Sequence, residues 1–320
     1  MQAAHGAGFR SIVLSAVWEP GAPATATLPP LRRAVKAAVA NDIAPVLFVY
    51  QLSSNTPLDQ PARTAFADFA ATLAQKLPDV RTVIVGNEPN LNLFWLPQFG
   101  PEGSDVAASA YEQLLAETYD SLKKVDSGIE VVGGALAPRG SDDPNASRQT
   151  HSPTQFILDL GRAYRASGRD RPLMDAFSLH VYGEGPRVPP TLRHPHTTSL
   201  GIADYPKLVQ LLGRAFDGTA QPGSKLPVLY AEYGVETRVP PAKIAAYTGH
   251  EVITPVDPAT QARYYADAIA LARRQPTVEG IDIFHVVDEK RLEGLQSGVR
   301  YADGTPKPSL EAVRRASLRP

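Results

Sequence analysis

Two glutamates stand where short apolar runs end. Glu88 closes RTVIVGNE, Arg81 to Glu88, with Asn87 before it and Pro89 after, and Glu232 closes the run LPVLYAE that starts at Leu226. A carboxylate there is costly to bury unless paired or hydrogen-bonded, so packing alone gives no reason for two of them. Neither glutamate has a basic residue beside it. Two facing carboxyl groups suit the cleavage of a glycosidic bond. One, protonated, delivers its proton to the leaving oxygen; the other, ionised, attacks the sugar or activates water. The bland alternative is a pair of structural ion pairs made to arginines or lysines elsewhere in the chain. Other apolar runs also end in polar or aromatic groups: Trp18 and Glu19, Tyr50 and Gln51, His180 and Tyr182, Tyr230 and Tyr233 beside Glu232, and His285 with Asp288 and Glu289.

Elements that alternate must carry these residues. β-branched apolar runs begin near Ser11, Pro45, Arg81, Glu130, Met174, Leu226 and Glu279, and a stretch of helical period follows each. Leu31, Val35 and Val39 share one helical face; Tyr111, Leu115, Tyr119 and Leu122 share another. Ser152-Pro153 and Asp257-Pro258 each place a capping residue before a proline at the first helical position. Continuous apolar strands separated by helices predict an α/β fold with a parallel sheet buried on both faces. The spacing of the units fits a TIM (β/α)8 barrel, whose chemistry collects at the carboxyl ends of the strands. An open doubly wound sheet is the competing architecture, but no GxGxxG follows the first readable strand and no phosphate-binding loop of Walker type occurs. No low-complexity linker divides residues 1–320, which are read as one domain. The start, MQAAHGAG, reads as the end of a helix with its terminating glycine.

Composition narrows the partners. With 32 Lys and Arg against 33 Asp and Glu, the chain has no electrostatic case for nucleic acid or an anionic membrane surface as its main partner. The absence of cysteine removes disulfides, thiolate metal sites and a cysteine nucleophile. No apolar run is long enough to span a membrane, and the charged-then-apolar pattern of a signal peptide is missing. The expectation is a monomer that takes a carbohydrate substrate and uses no cofactor and no metal.

The residues around the two glutamates resemble those of the clan A glycoside hydrolases, the retaining (β/α)8 enzymes of the cellulase-like and xylosidase-like families. Val85-Gly86-Asn87-Glu88-Pro89-Asn90 is similar to the fourth-strand NEP motif, and Leu229-Tyr230-Ala231-Glu232-Tyr233-Gly234 to the seventh-strand nucleophile motif. His180 and Tyr182 resemble the sixth-strand H-x-Y pair, and Tyr301 to Pro308 resembles the segment leading into the last helix. The resemblance covers essentially the whole chain. It implies double displacement, with Glu88 as acid/base, Glu232 as nucleophile, and Asn87 holding the sugar 2-hydroxyl. Tyr182 or Tyr230 would hydrogen-bond the nucleophile, and His180 would face the same site by strand parity. It also numbers the first readable strand as the second, so the first barrel strand is expected to be absent and Met1 to Gly8 to be a remnant of the first helix. A start lying upstream, behind an export signal, would make the protein extracellular.

Departures from the family pattern bear on the substrate. Many relatives end the eighth strand in a tryptophan platform, where this chain has Phe284-His285-Val286-Val287-Asp288-Glu289. Trp95, in the aromatic loop Asn90 to Gly100 with Phe94 and Phe99, is the expected replacement, unless that loop packs on itself as a lid. An arginine near the end of the second strand is replaced by Trp18 and Glu19. The loop Gly183 to Ser199 is expected to close one end of a groove and favour short or terminal substrates. Two other readings compete: a metal-dependent barrel isomerase or hydrolase using His180, Glu232, His285 and Asp288 as ligands, and a carbohydrate-binding barrel without catalysis.

Overall fold

A computed structural model describes residues 1–318. In chain order its elements are α1 Gln2–Gly6, β1 Ser11–Val17, α2 Ala24–Val39, β2 Ala44–Tyr50, α3 Gln60–Lys76, β3 Thr82–Val85, α4 Ala107–Val125, β4 Glu130–Leu136, α5 Pro153–Ser167, β5 Ala176–His180, α6 Tyr205–Phe216, β6 Val228–Tyr233, α7 Pro258–Ala272, β7 Val278–Ile283 and α8 Pro308–Leu318. Each strand pairs in parallel with the next, giving one sheet in the order β1 to β7. Strands followed by helices in this order form the (β/α)8 type of barrel, here with seven strands among the described residues.

Local chemistry sets the helix starts. Ser152 accepts a hydrogen bond from the Gln155 N–H ahead of Pro153, and Asp257 accepts from Ala259 and Thr260 ahead of Pro258. Asp59 does the same for Ala62 at α3, and each of these caps satisfies a donor the helix cannot satisfy itself. Inner helical faces, such as Leu31 and Val35 of α2, Phe66 and Leu73 of α3, and Phe156 and Leu160 of α5, pack on the outward side chains of the sheet. A smaller cluster fills the barrel interior: Val46 and Phe48 of β2, Ile84, Val132, Ala135, Ala176 and Ala231.

No ladder joins β1 to β7 among the described residues, so the barrel has a seam there. The N-terminal helix α1 precedes β1 and packs Ala4 against Ala38 and Ile43 beside that seam. Ser11 Oγ of β1 reaches across to Asp282 Oδ1 of β7 at 3.4 Å. Ser11, Ser15 and Ala231 are among the side chains lining the interior on this side. The branched side chains Ile12, Val13 and Ile283 share that wall with them. A cavity of about 640 Å³ runs along this side, its wall extending from Ser11 to Asn87, Glu88 and Glu232 at the carboxyl ends of their strands.

Two strands are shorter than the apolar runs that encode them. β3 stops at Val85 because Gly86 turns to φ +79 and Glu88 to φ +39, both outside extended backbone. β7 stops at Ile283, and His285 follows at φ +85. Both breaks fall at the rim of the cavity.

Candidate active site

The site starts with Gly86. A β-carbon at its position would come within 2.8 Å of the Tyr111 ring, so only glycine lets the chain pass over that tyrosine. Tyr111 is locked in turn, donating to Val85 O at 2.7 Å and accepting from the Gly134 N–H at 2.8 Å. The turn presents Asn87 and Glu88 to the cavity, and the Glu88 N–H donates to Ala135 O at 2.9 Å. Non-glycine residues held at positive φ, here Glu88, Ala135 and His285, cost free energy and are retained where the surroundings over-determine them.

Glu232 arrives by a different device. Strand parity puts Leu229 and Ala231 inside the barrel, which points Tyr230 outward; a register irregularity between Tyr230 and Tyr233 then turns Glu232 inward as well. Alternation by itself predicts that Tyr230 and Glu232 share a face, and this bulge is why they do not. Tyr230 is fully buried between sheet and helices, where its hydroxyl donates to Gln275 Oε1 at 2.7 Å. It does not line the cavity, so the expectation that it binds substrate or the nucleophile is corrected. Tyr182 lines the cavity instead and donates its hydroxyl to Glu232 Oε2 at 2.8 Å.

His180 joins the two carboxylates. Its Nδ1 lies 2.9 Å from Glu88 Oε1 and 3.5 Å from Glu232 Oε2, with the ring wholly buried under them. Burial opposes the charged imidazole, but Glu232, Glu88 and Asp282 together outweigh it and raise the His180 pKa. Burial pushes the Glu232 pKa up, opposed by His180 and the Tyr182 hydroxyl and reinforced by Glu88. Tyr182 is itself pushed far above the ordinary phenol range, first by burial and then by Glu232, so it remains a donor. Asn87 Oδ1 and His180 Nε2 are buried with no hydrogen-bond partner in the protein. Unpartnered polar atoms of this kind are expensive in a finished core and natural beside a place that a ligand occupies.

Of the remaining expected residues, Phe94 and His285 line the cavity. Trp95 does not: it is fully buried, edge-on to Tyr111 at 5.8 Å. The loop after Glu88 folds around it, with Gln98 Nε2 donating to Pro89 O and Trp95 O and Gln51 Nε2 to Phe94 O. This is the self-packed arrangement, and Trp95 supports the loop from behind instead of forming a sugar platform. Phe99 stacks on His151 at 4.1 Å, away from the carboxylates. Trp18 is buried against Phe66 of α3 and is likewise absent from the cavity wall, with Glu19 exposed beyond it. The long loop after β5 is tied to its own surroundings, His194 to Asp204 at 2.6 Å and Arg187 O to the Tyr264 hydroxyl, and contributes no residue to the cavity wall beyond Tyr182 before it. The expectation that it closes the groove is not met.

The metal-site reading also fails on geometry. Asp288 points away from the carboxylates and pairs with Lys307 at 2.7 Å, both side chains fully buried. Among the described residues, no three His, Asp, Glu or Cys side chains come together as a metal-binding group. Conversely, the wall includes Tyr50, noted among the strand ends, and three residues to which sequence reading gave no part in the site: Phe284, Ser11 and Asp282. Asp282 carried a legible signal, a lone acid between Ile281 and Ile283 in an otherwise apolar alternation.

Comparison with known proteins adds the fold. No family model and no curated protein matches the sequence. Among solved structures, the chain is similar to a family 39 glycoside hydrolase from Bacteroides cellulosilyticus WH2, with a TM-score of 0.70 at 20% identity over 99% of this chain and 59% of that one. It is similar to a GH39 β-xylosidase from Caulobacter crescentus, TM-score 0.53 at 18% identity over 89% of this chain and 57% of that one. A third is β-glucuronidase 2 of Bacteroides uniformis, in a calcium-binding mutant, TM-score 0.60 at 13% identity over 99% of this chain and 31% of that one. This chain thus spans between 31% and 59% of these neighbours' lengths. Likeness at these identities establishes the shared barrel.

Proposed function

We propose that the protein is a retaining glycoside hydrolase that cleaves O-glycosidic bonds in an oligo- or polysaccharide of plant or microbial origin. The observation that carries this reading is that Glu88 and Glu232, brought from strands far apart in sequence, converge on the single nitrogen of His180 at the wall of a cavity. The two oxygens facing that nitrogen, 2.9 Å and 3.5 Å from it, lie no farther apart than the sum of those distances. The two carboxyl groups are thus neighbours across one ring nitrogen, which is compatible with attack by one carboxylate on the sugar itself, where a separation of about 5 to 5.5 Å between carboxyl groups is typical. The structural neighbours, a family 39 glycoside hydrolase and a GH39 β-xylosidase among them, support a carbohydrate substrate.

In the first displacement Glu88, protonated, gives its proton to the glycosidic oxygen as that bond breaks, while a Glu232 oxygen forms the bond to the anomeric carbon. Water then attacks the same carbon, Glu88 takes its proton, and Glu232 leaves as the carboxylate. Tyr182 and His180 serve this cycle by stabilising the Glu232 anion, whose burial otherwise favours the neutral acid. Once Glu232 is esterified its charge is gone, the attraction that favours charged His180 weakens, and Glu88 is left as the base. Asn87 Oδ1, unpartnered and on the cavity wall, accepts a sugar hydroxyl.

Mechanism-based labelling tests the assignment. An activated 2-deoxy-2-fluoroglycoside should leave a glycosyl ester on Glu232, located by mass spectrometry of the digested protein. An adduct on any other side chain would remove Glu232 from the role of nucleophile.

A further inference from the structure

Charge in the cavity is one-sided. Its wall includes the carboxyls of Glu88, Glu232 and Asp282, and no lysine or arginine among the described residues lines it. His180, the one nearby group with a raised basic pKa, lies wholly buried beneath the carboxylates and is held by Glu88. His285 is on the wall, but burial lowers its pKa and so disfavours the charged ring. Arg139, which follows β4, is outside the wall and donates to Gly183 O.

Asp282 does not belong to the double displacement. It stands on β7 at the seam, where it also borders a second cavity of about 390 Å³ at the opposite mouth of the barrel. Its Oδ1 has only the long 3.4 Å contact from Ser11, and its Oδ2 is buried without a partner. The upper cavity brings no lysine or arginine to it; His180 on β5 is the basic group that acts on it, and Arg10 and Arg273 border the cavity below.

We infer that the cavity selects an uncharged glycosyl group over the corresponding uronic acid, and that Asp282 is a determinant of this selection. The inference rests on the glycosidase reading for its assay and on the cavity wall for its content. A uronate carries its carboxylate into whichever part of the cavity receives the sugar ring. On this wall that carboxylate meets backbone, hydroxyls, the Asn87 amide, the His285 ring, apolar and aromatic side chains or another carboxylate, and no guanidinium or ammonium compensates its lost hydration. A neutral sugar presents hydroxyl donors, which the three acids accept.

The pH dependence has a definite sign. Burial pushes Asp282 up to about 7, reinforced by Glu232 and opposed by the Ser11 hydroxyl and by His180. The charged or titratable groups around it are Glu232 on β6, His180 on β5, Glu88 after β3 and His285 after β7, with Arg10, Arg273, Glu130 and Glu279 bordering the lower cavity. As pH rises through 7 Asp282 gains a negative charge. Discrimination against uronates therefore strengthens with pH.

The test uses matched 4-nitrophenyl glycosides, glucoside against glucuronide and galactoside against galacturonide, with the protein at pH 5.5 and pH 8. The neutral member of the pair that is turned over should be favoured by about a hundredfold or more in kcat/KM, as like-charge juxtaposition costs several kcal/mol. The ratio should rise toward pH 8, and Asp282→Asn should flatten that rise. A uronide turned over as fast as its neutral partner, or a ratio indifferent to Asp282→Asn at pH 8, overturns the inference. Binding of the free sugars, measured by saturation-transfer NMR, separates the two readings. Neutral sugars bound in preference to uronates but never hydrolysed would sustain the cavity's selectivity and sink the glycosidase. Uronates bound in preference would sink the selectivity whatever the catalysis.

Discussion

Two clusters of buried charge stand close to the carboxyl ends of β6 and β7, and they are built to opposite specifications. In one, Lys307 spends all three donors, on Asp288 Oδ1, Thr237 Oγ1 and Gln296 O, at 2.7 to 2.8 Å. Asp288 is satisfied in return by Lys307, the Gly298 N–H and the Tyr247 hydroxyl. In the other, Glu88, His180, Glu232 and Tyr182 share fewer bonds than they have donors and acceptors. Asn87 Oδ1 and His180 Nε2 stay unpartnered beside a cavity. Complete mutual satisfaction marks a structural ion pair, and its charge does nothing further; incomplete satisfaction next to empty space leaves bonding capacity for a substrate. Both clusters pull pKa values, since burial raises Asp288 as it raises Glu232, so titration behaviour alone does not distinguish them.

Mutation should separate the clusters most sharply in activity. Glu232→Gln or Glu88→Gln is expected to lower kcat/KM by about a thousandfold or more, consistent with loss of a covalent or acid/base group, while the folded protein keeps its thermal midpoint. Lys307→Met should do the reverse. It strands Asp288 as an unpaired buried charge and costs roughly 3 to 5 kcal/mol in denaturant unfolding, with kcat/KM of the remaining folded protein little changed. If Lys307→Met abolishes turnover in protein that is demonstrably folded, the two clusters are one functional unit and the contrast collapses.

A smaller effect lies in the pH dependence of stability. Asp282 has a folded-state pKa near 7 against an ordinary 3.8, so between those values the folded chain holds a proton that the unfolded chain has lost. Stability should decline as pH rises from about 4 to 7 and then level, by a few kcal/mol at most. Asp282→Asn should remove this segment of the curve, measured by urea unfolding across that range. An unchanged slope would show that Asp282 is hydrated, and so ionised, in the folded state.

Residue types and local spacing made several features legible. The strands and helices follow from apolar periodicity, the helix starts from Ser152, Asp257 and their prolines, and the pairing of Glu88 with Glu232 from two acids ending apolar runs. Tyr182, His180, Asn87 and His285 followed from the same strand ends. The failures have one physical origin. Trp95, in an aromatic loop after Glu88, and Trp18, at the end of a strand, look like exposed platforms, yet each is drawn under the surface by a partner distant in sequence, Tyr111 and Phe66.

Strand parity is a local rule, and it holds for Tyr182 and fails for Tyr230. The irregular register of β6 against β7 depends on how two strands meet, which neither strand encodes alone. The amino-acid sequence by itself thus determined which groups are available for chemistry and on which elements they ride, because capping, periodicity and side-chain type act over a few residues. Only the tertiary structure decided which of them share a space. Convergence of Glu88 and Glu232 on His180, the cavity beside the β1 to β7 seam, and Asp282 in its wall are set by packing between elements far apart in the chain.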